Sequence, residues 1–440
     1  MATSKDLVEA DAFERRRRAT ALVGGLADDE DRRPGRLLVG GAVLAALLVG
    51  GGAVAGHALG RPDPGWLEAG AFVVSHDTGQ QYVVLEAGEP RPVPNHVSAQ
   101  LLLGEADPDV HTVGDDVLAA VEVGEPLGIT QAPVSVATTD RLVSSGWTAC
   151  TGDSAGIAMS LSAAPAARAT DAAALVTAEG ELWLVASSHA EDGSIFARRF
   201  LVAGTPAEVG TFVTALGFSA ADHALRVDPA WLALVPSGSP LDPRVFGVER
   251  SGGPAAYVGG NGHRVGDLLQ GPDGGYVLMG DRAPQRLDPF AGLVYGTFVS
   301  RPKSVARDPQ AAYEAPGHPS EWPDAAPPPL VAGEVCAVLG TGGGVTLAEN
   351  PAASADPGGV PPDDRVVAVE PTAGAWVRQE SRPDGAAYVV DARGLRHRVA
   401  EGSVAALGYS DLEPTPVPEP WLALLDVGVP LSEQAALRGD

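Results

Sequence analysis

Apolar positions along the chain form one long uncharged run and, after it, many short runs. Residues 37–58 include no charged side chain, and as a helix they would span about 33 Å, enough to cross the hydrocarbon core of a bilayer. Arginines precede this run as far as Arg36, whereas Arg61 stands alone beyond it. This excess of arginine before the apolar run predicts a cytoplasmic amphipathic segment over 1–36, a transmembrane helix over 37–59 and an extracytoplasmic remainder.

The residues before the apolar run favour a short helix of their own. Leu7, Ala10 and Phe13 recur at helical spacing within 6–25. The glycines at 24–25 and the acidic run at 28–31 are predicted to end this helix. A cleaved signal peptide is the alternative, because the Ala-Val-Ala at 53–55 resembles a cleavage site. The apolar run starts late and is long for such a peptide, so the prediction is an uncleaved anchor.

Beyond the span, one pattern occurs four times: an apolar strand, a turn with glycine, and a second strand with an aromatic residue. Glycine supplies the positive φ that tight hairpin turns need. Each hairpin is followed by a helix-like stretch, and these stretches are predicted to end at Gly104, Gly217, Gly296 and Gly408. The paired strands are 72–74 with 82–84, 175–176 with 183–185, 268–269 with 276–278, and 376–377 with 388–390.

The order of these units predicts an internal duplication. Trp231-Leu-Ala-Leu and Trp421-Leu-Ala-Leu are each followed by a Pro-Leu pair, and Cys150 and Cys336 occupy similar places in the two halves. We therefore expect an α+β, mostly β fold with a central β core and four small hairpin-plus-helix repeats in pseudo-two-fold arrangement. The third repeat has no clear tail. The boundaries are repeat 1 at 60–104, a first core segment at 105–170, repeat 2 at 171–245, repeat 3 at 246–298, a second core segment at 299–372 and repeat 4 at 373–440.

Charge and cysteine content narrow the partners. The net charge is −26, and so negative a surface repels phosphate backbones, so nucleic acid is not an expected partner. Two cysteines are too few for a thiolate zinc site. In an extracytoplasmic domain, one bridge between Cys150 and Cys336 is the simple prediction, and two unrelated buried thiols are the alternative.

The ordered set of these features resembles the EccB family of type VII (ESX) secretion systems. The resemblance covers nearly the whole chain: the short helix with Phe13, the single span, 82–84 with its downstream stretch to Gly104, Trp147 to Cys150, Cys336, and the tail from Trp421 to Leu431. The weak tail of the third repeat is a departure and leaves the boundary of that repeat open.

This resemblance implies a structural subunit of an actinobacterial cell-membrane complex that exports WXG100-type proteins. The implied partners are an EccC-like motor ATPase, EccD, EccE and a mycosin-like protease, together with self-association. In the family the two core cysteines pair, and the repeats are similar to a phage-lysin fold that binds cell wall.

The sequence contains few residues in patterns typical of catalysis. Lysine occurs only at Lys5 and Lys303, neither in a phosphate-binding loop, and the glycine-rich 340–344 has no Lys-Ser/Thr after it. Ser154 lies in a GxSxG pattern that a chain so rich in glycine produces by chance, and a turn is the preferred interpretation. The histidines show no metal spacing. We therefore expect no enzyme activity, no cofactor and no metal.

Three functions remain in view. The leading one is an assembly subunit of the type VII secretion complex. A membrane-anchored peptidoglycan-binding protein is the alternative, because repeat aromatics such as Tyr82 and Trp183 could stack on glycan, although packing in the core is commoner. An extracytoplasmic NTPase or hydrolase ranks below both.

Overall fold

The computed structural model describes residues 64–153, 155–189, 194–256, 262–299, 301–309, 312–330, 334–350 and 360–439. The side chains of His189 and Asp222 are not among the described regions. The cytoplasmic segment and the transmembrane helix predicted over 1–36 and 37–59 lie outside these ranges. Within the ranges, no helix combines the length and the apolar character that a membrane crossing requires.

The described chain is mostly β, with a few short helices, and its strands form five sheets. Four are small outer sheets, numbered here in chain order, and the fifth is a central sheet. The first outer sheet contains β1 (Phe72–Ser75), β2 (Gln81–Glu86), β3 (Glu89–Val93) and β4 (Val110–Val113). The central sheet takes β5 (Trp147–Thr151), β6 (Ile157–Leu161) and β7 (Arg168–Ala169) from the first half of the chain.

The remaining strands follow the same alternation of outer and central sheets. The second outer sheet contains β8 (Ala174–Ala178), β9 (Glu181–His189), β10 (Ile195–Leu201) and β11 (Leu225–Arg226). The third contains β12 (Leu268–Gln270), β13 (Tyr276–Met279), β14 (Pro284–Leu287) and β15 (Lys303–Ser304). The central sheet then takes β16 (Glu334–Leu339), β17 (Val345–Asn350) and β18 (Arg365–Val369). The fourth outer sheet contains β19 (Ala375–Gln379), β20 (Ala387–Val390), β21 (Leu395–Val399), β22 (Thr415–Val417) and β23 (Asp426–Val427).

Each outer sheet is built on one strand order. Its first three strands run antiparallel to their neighbours, and a fourth strand returns to lie parallel beside the first. The four predicted strand pairs all form, for example with Phe72 opposite Val83 and Ala375 opposite Val390. The turn at Glu179-Gly180 has positive φ at both residues, 52° and 83°, as a two-residue hairpin of type I′ requires.

A helix connects the third strand to the fourth in the first three outer sheets. These helices are α1 (His96–Leu103), α3 (Pro206–Ala215) and α5 (Pro289–Phe298). Asn95, Thr205 and Asp288 cap their N-termini through side-chain oxygens that accept backbone N–H bonds. The other α-helices among the described residues are α2 (Asp115–Leu118), α4 (Pro229–Ala233), α6 (Glu419–Ala423) and α7 (Glu433–Arg438).

One expectation about where these helices end was wrong. Gly296 does not end the third stretch, because α5 continues to Phe298; a Cβ at this glycine would lie 3.3 Å from Leu268 Cδ2, so the helix packs closely on β12. In the fourth outer sheet the corresponding stretch forms a 3₁₀ turn, Glu401–Ser403, followed by further turns rather than an α-helix.

The hydrophobic cores join the outer sheets in pairs. One cluster combines side chains of the second and third outer sheets, including Phe212 and Phe290. Another combines the first and fourth, including Phe72 and Trp376. The largest cluster lies against one face of the central sheet and includes residues of the second and fourth outer sheets, with Trp231 and Trp421. The central sheet is thus the element to which both pairs are attached.

Two glycines in matching helices give a test of this packing. A Cβ at Gly292 in α5 would lie 2.2 Å from the Tyr276 ring, whereas a Cβ at Gly210 in α3 would meet nothing within 4 Å. We expect Gly292→Ala to lower the free energy of unfolding by about 1–3 kcal/mol, and Gly210→Ala to raise it by up to about 1 kcal/mol. Chemical unfolding of the purified chain measures both. Equal effects of the two substitutions would contradict the packing of α5 on β13.

Candidate functional site: the bridged central sheet

The central sheet is joined across its middle by strands from the two halves of the chain. Its order is β18-β6-β5-β16-β17-β7, and β16 pairs antiparallel with β5 over the whole length of β5. Trp147, Ala149, Val335 and Ala337 point to the side that the largest hydrophobic cluster covers. The two halves therefore share one sheet, and neither half completes it alone.

The two cysteines lie directly opposite each other at this junction. Cys150 is the register partner of Cys336, and their sulfurs form a disulfide bond with an S–S distance of 2.06 Å. Both side chains are buried, at 7% and 0% exposure, and Ala348 packs beside them. The bridge closes a separation of 186 residues. It therefore fixes covalently the contact that links the two halves.

Glu334 approaches the two sulfurs closely enough for the three groups to resemble a metal site. A metal is bound by thiolates, and in this structure both sulfurs are consumed in the disulfide. The carboxylate of Glu334 instead accepts a hydrogen bond from the Asn350 side chain at 3.1 Å. The disulfide and the Glu334–Asn350 hydrogen bond therefore have structural roles in the central sheet.

Two further backbone bridges link the halves reciprocally. Leu142, just before β5, forms a parallel bridge with Gly374, just before β19 of the fourth outer sheet. Pro329, just before β16, forms a parallel bridge with Ala173, just before β8 of the second outer sheet. Each half thus supplies the backbone segment that attaches an outer sheet belonging to the other half. Sequence reasoning missed these bridges because backbone hydrogen bonds leave no mark on residue type.

The Trp-Leu-Ala-Leu motifs anchor the outer sheets on the central one. Trp231 begins the first motif within α4, is fully buried, and its indole Nε1 donates a hydrogen bond to the Ala149 carbonyl oxygen at 2.9 Å. Trp147 donates in the same way to the Val143 carbonyl oxygen at 3.1 Å. Trp421 begins the second motif within α6 and joins the same cluster. The motif is therefore a packing device at the sheet junction.

After each motif, the chain first bridges to its own outer sheet and then reaches the partner outer sheet. Leu241 bridges to Val202, and Leu431 bridges to Val399, in parallel. The chain then forms a 3₁₀ turn with Phe246, whose ring lies 5.0 Å from that of Tyr295 in α5. The equivalent segment after Leu431 forms α7, which packs on α1. The third outer sheet has its own bridge of this kind, from Gln285 to Glu314.

A buried polar network holds the C-terminal segment in place. His397 is fully buried; its Nδ1 lies 2.9 Å from the Val429 carbonyl oxygen and its Nε2 lies 3.2 Å from Asp391 Oδ2. Gly428 passes so close that a Cβ would lie 2.3 Å from the imidazole. Burial alone would raise the pKa of Asp391, but hydrogen bonds from His397, the Leu395 N–H and Arg393 outweigh it and lower the pKa to about 2.

The candidates for catalytic chemistry do not assemble into a site. Ser154 lies outside the described residues. A nucleophile elbow places a helix after its serine, whereas Ile157–Leu161 is the strand β6. The glycine-rich turn at 340–344 packs against the second outer sheet, because a Cβ at Gly344 would lie 2.3 Å from the Phe196 ring. Gly344 therefore permits the close approach of this turn to β10.

One cavity of about 570 Å³ lies beside Ala155, in the turn before β6. Its polar lining comes from the β8–β9 turn, the end of β11, the start of α4 and residues 362–363, and includes Glu179, Arg226 and Asp363. None of the described residues that line it is a histidine or a cysteine. Ala155, Glu179 and Asp363 have positive φ, which marks tight turns at its rim.

The repeat aromatics are packing residues in this structure. Tyr82, Trp183, Tyr276 and Tyr388 are half-buried, and each packs against a hydrophobic cluster. The guanidinium of Arg199 lies 5.4 Å from the centre of the Trp183 ring. These contacts occupy ring surface that stacking on a glycan would need.

The fold and the bridged sheet define a β-rich scaffold: four small sheets attached in pairs to one central sheet. A family model described as "Type VII secretion system ESX-1, transport TM domain B" matches residues 1–293 and 338–440. The chain therefore belongs to the EccB family, a structural membrane component of type VII secretion, and the predicted resemblance is confirmed. A search of curated proteins gave no match.

Solved structures share the fold. A chain in the structure of an intact ESX-5 inner membrane complex is 21% identical, with a TM-score of 0.63, and the match covers 99% of this chain and 95% of that one. A chain in the ESX-5 periplasmic assembly is 21% identical, with a TM-score of 0.61 and coverage of 83% and 93%. The EccB3 dimer from the ESX-3 core complex is 22% identical, with a TM-score of 0.61 and coverage of 83% and 99%.

The contribution of the bridge can be measured directly. Replacing both Cys150 and Cys336 by alanine is expected to lower the free energy of unfolding by about 2–5 kcal/mol, because the unfolded chain regains the freedom of a very long loop. Urea unfolding in oxidising buffer measures the change. Thr148→Ala on the same strand is the control, since it leaves the bridge intact. A double variant as stable as the unmodified chain would contradict this account.

The hydrogen bonds to Asp391 predict that the free energy of unfolding falls in acid. A carboxyl whose pKa falls from 3.8 to about 2 in the folded state contributes about 2 kcal/mol above pH 4, and this is lost as the pH falls towards 2. Asp391→Asn should therefore lower stability at neutral pH and flatten its slope between pH 4 and 2. Unfolding measured across that range, with the exposed Asp384→Asn as control, tests this. Identical slopes for the two variants would refute the role of Asp391.

Proposed function

We propose that this chain is an assembly subunit of an ESX complex, anchored by a single N-terminal span and acting through an extracytoplasmic scaffold. The observation that carries this proposal is the match of the EccB family model to both ends of the chain, including its first 63 residues. The proposed topology places 1–36 in the cytoplasm, 37–59 in the membrane and the described domain outside. A disulfide in the central sheet supports that placement, because such bonds persist in oxidising compartments.

The architecture supports a mechanical rather than a catalytic role. Both pairs of outer sheets are fastened to one bridged sheet, so a force applied at one pair is transmitted to the other through hydrogen-bonded strands and a covalent link. We interpret the common strand order of the outer sheets and their reciprocal bridges as the product of duplication, with a pseudo-two-fold axis between β5 and β16. A scaffold of this kind presents several separate surfaces to neighbouring subunits.

The proposed partners are those of the family: an EccC-like motor, EccD, EccE, a mycosin-like protease and further copies of the chain. The transported cargo would be WXG100-type proteins. The similar structures, two of ESX-5 assemblies and one of an EccB3 dimer, support membership of a complex and self-association. Binding to the cell wall is not favoured, since the repeat aromatics are engaged in packing.

Gentle extraction tests this proposal. The full chain, tagged at its C-terminus and purified from its native membrane in mild detergent, is expected to elute in a very large complex that includes the motor and EccD. Mass spectrometry of that fraction identifies the partners. The variant with both cysteines replaced by alanine is expected to lose much of the complex, while an unrelated single-span protein with the same tag gives the background. Recovery of the chain free of any secretion component would overturn the proposal.

A further inference from the structure

Three side chains that can bind a metal lie together on one face of the central sheet. Glu334 precedes Cys336 by two residues on β16, so both side chains point to the same face. Cys150 on β5 is the register partner of Cys336. A carboxylate oxygen and the two sulfurs lie within 4.8 Å of one another. Among the described residues, no other set of three histidine, cysteine or acidic side chains has its ligand atoms so close.

The backbone, rather than the bond between the sulfurs, places these side chains. β5 and β16 pair from Trp147 with Leu339 to Thr151 with Val335. Both strands are also paired on their other sides, β5 with β6 and β16 with β17. We therefore expect the two thiols of a reduced, folded chain to remain opposite each other.

Every copy of the chain passes through a reduced state. Cysteines are synthesised as thiols, and a structural disulfide forms only in an oxidising compartment. Here the bond must also wait until residues separated by 186 positions have met. The pairing of β5 with β16 brings the two sulfurs together before the bond can form, so the junction first exists as two thiols beside Glu334.

The disulfide does not explain the carboxylate of Glu334. This side chain is half-buried, and its hydrogen-bond partner among the described residues is Asn350, the register partner of Glu334 on β17. Asn350 Nδ2 donates this bond, whereas its Oδ1 is buried and has no partner within the described chain. Carboxylates that bind metals are commonly oriented by such a second side chain. Asn350 Oδ1 could then accept a hydrogen bond from a water on the metal.

The chemistry of these donors fits zinc. Thiolates do not suit Mg²⁺ or Ca²⁺, whereas Zn²⁺ takes sulfur and carboxylate ligands in a tetrahedron, at about 2.3 Å and about 2.0–2.2 Å. Two cysteines, one glutamate and a water complete four positions. Ala167, Val338 and Ala348 pack around the sulfurs, and an apolar shell limits the access of solvent to a metal. Each thiol releases one proton as its sulfur binds the ion.

We infer that the reduced chain binds one zinc ion through Cys150, Cys336 and Glu334. The ion would join β5 to β16 at the place where the disulfide joins them in the oxidised chain. A tetrahedral ion holds two sulfur ligands about 3.8 Å apart, so the same sulfurs cannot also be bonded to each other. The junction of the two halves therefore has two mutually exclusive links. This inference does not depend on the proposed function.

Titration with Co²⁺ tests the inference, because Co²⁺ adopts the same tetrahedral site and its thiolate complexes absorb light. The full chain, with a tag free of histidine, is purified in mild detergent, reduced with a phosphine and freed of the phosphine without oxygen. We expect one equivalent of Co²⁺ to produce a thiolate charge-transfer band that Zn²⁺ abolishes. The oxidised chain and the variant with both cysteines replaced by alanine should produce no band.

A matched pair of variants tests the third ligand. Glu334→Gln is expected to weaken the binding of Co²⁺ by about tenfold or more. Glu349→Gln is the control, because Glu349 lies opposite Val335 in the register and points to the other face of the sheet. Its affinity should equal that of the unmodified chain.

Thermal unfolding gives a second readout. Zn²⁺ is expected to raise the melting temperature of the reduced chain and to leave that of the oxidised chain unchanged. The inference is overturned if the reduced chain, folded or not, shows no thiolate–cobalt band, or if Glu334→Gln and Glu349→Gln bind equally well. Binding that persists without both cysteines would be adventitious only and would overturn it as well.

Discussion

The pairing of β5 with β16 is the contact on which the rest of the described structure depends. It joins residues 186 positions apart, and the entropy of closing so long a loop opposes it. The disulfide between Cys150 and Cys336 fixes this contact in the folded chain and restricts the unfolded one. Without the pairing, the largest hydrophobic cluster would lose the sheet against which it packs.

Around this contact, the two halves of the chain are interwoven rather than placed side by side. The segments before β5 and β16 each attach an outer sheet of the other half, at Leu142 with Gly374 and at Pro329 with Ala173. The outer sheets then pair through their own hydrophobic clusters at the two ends. Such an arrangement suits a structural subunit of a membrane complex, because the second and fourth outer sheets pack on the central one and each holds its partner sheet through a shared cluster.

Much of this architecture is predictable from the sequence, and the exceptions have physical reasons. The hairpins were recognisable because glycine turns stand between short apolar strands, and the two cysteine stretches because they occupy similar places in the two halves of the sequence. The bridges at Leu142 and Ala173 use only backbone atoms, and any residue type can form them. Gly296 misled because a glycine usually ends a helix, whereas here it admits the Leu268 side chain against α5. The place of β18 at an edge of the central sheet follows from the strand order, which residue types do not encode.

The state of the two cysteines in the native membrane tests this account most directly. The chain would be isolated from its own cells with thiols blocked at lysis, digested without reduction, and its peptides mapped by mass spectrometry. We expect one crosslinked peptide pair that contains Cys150 and Cys336, with almost no blocked thiol at either position. Two blocked, unlinked cysteines in the assembled protein would contradict it.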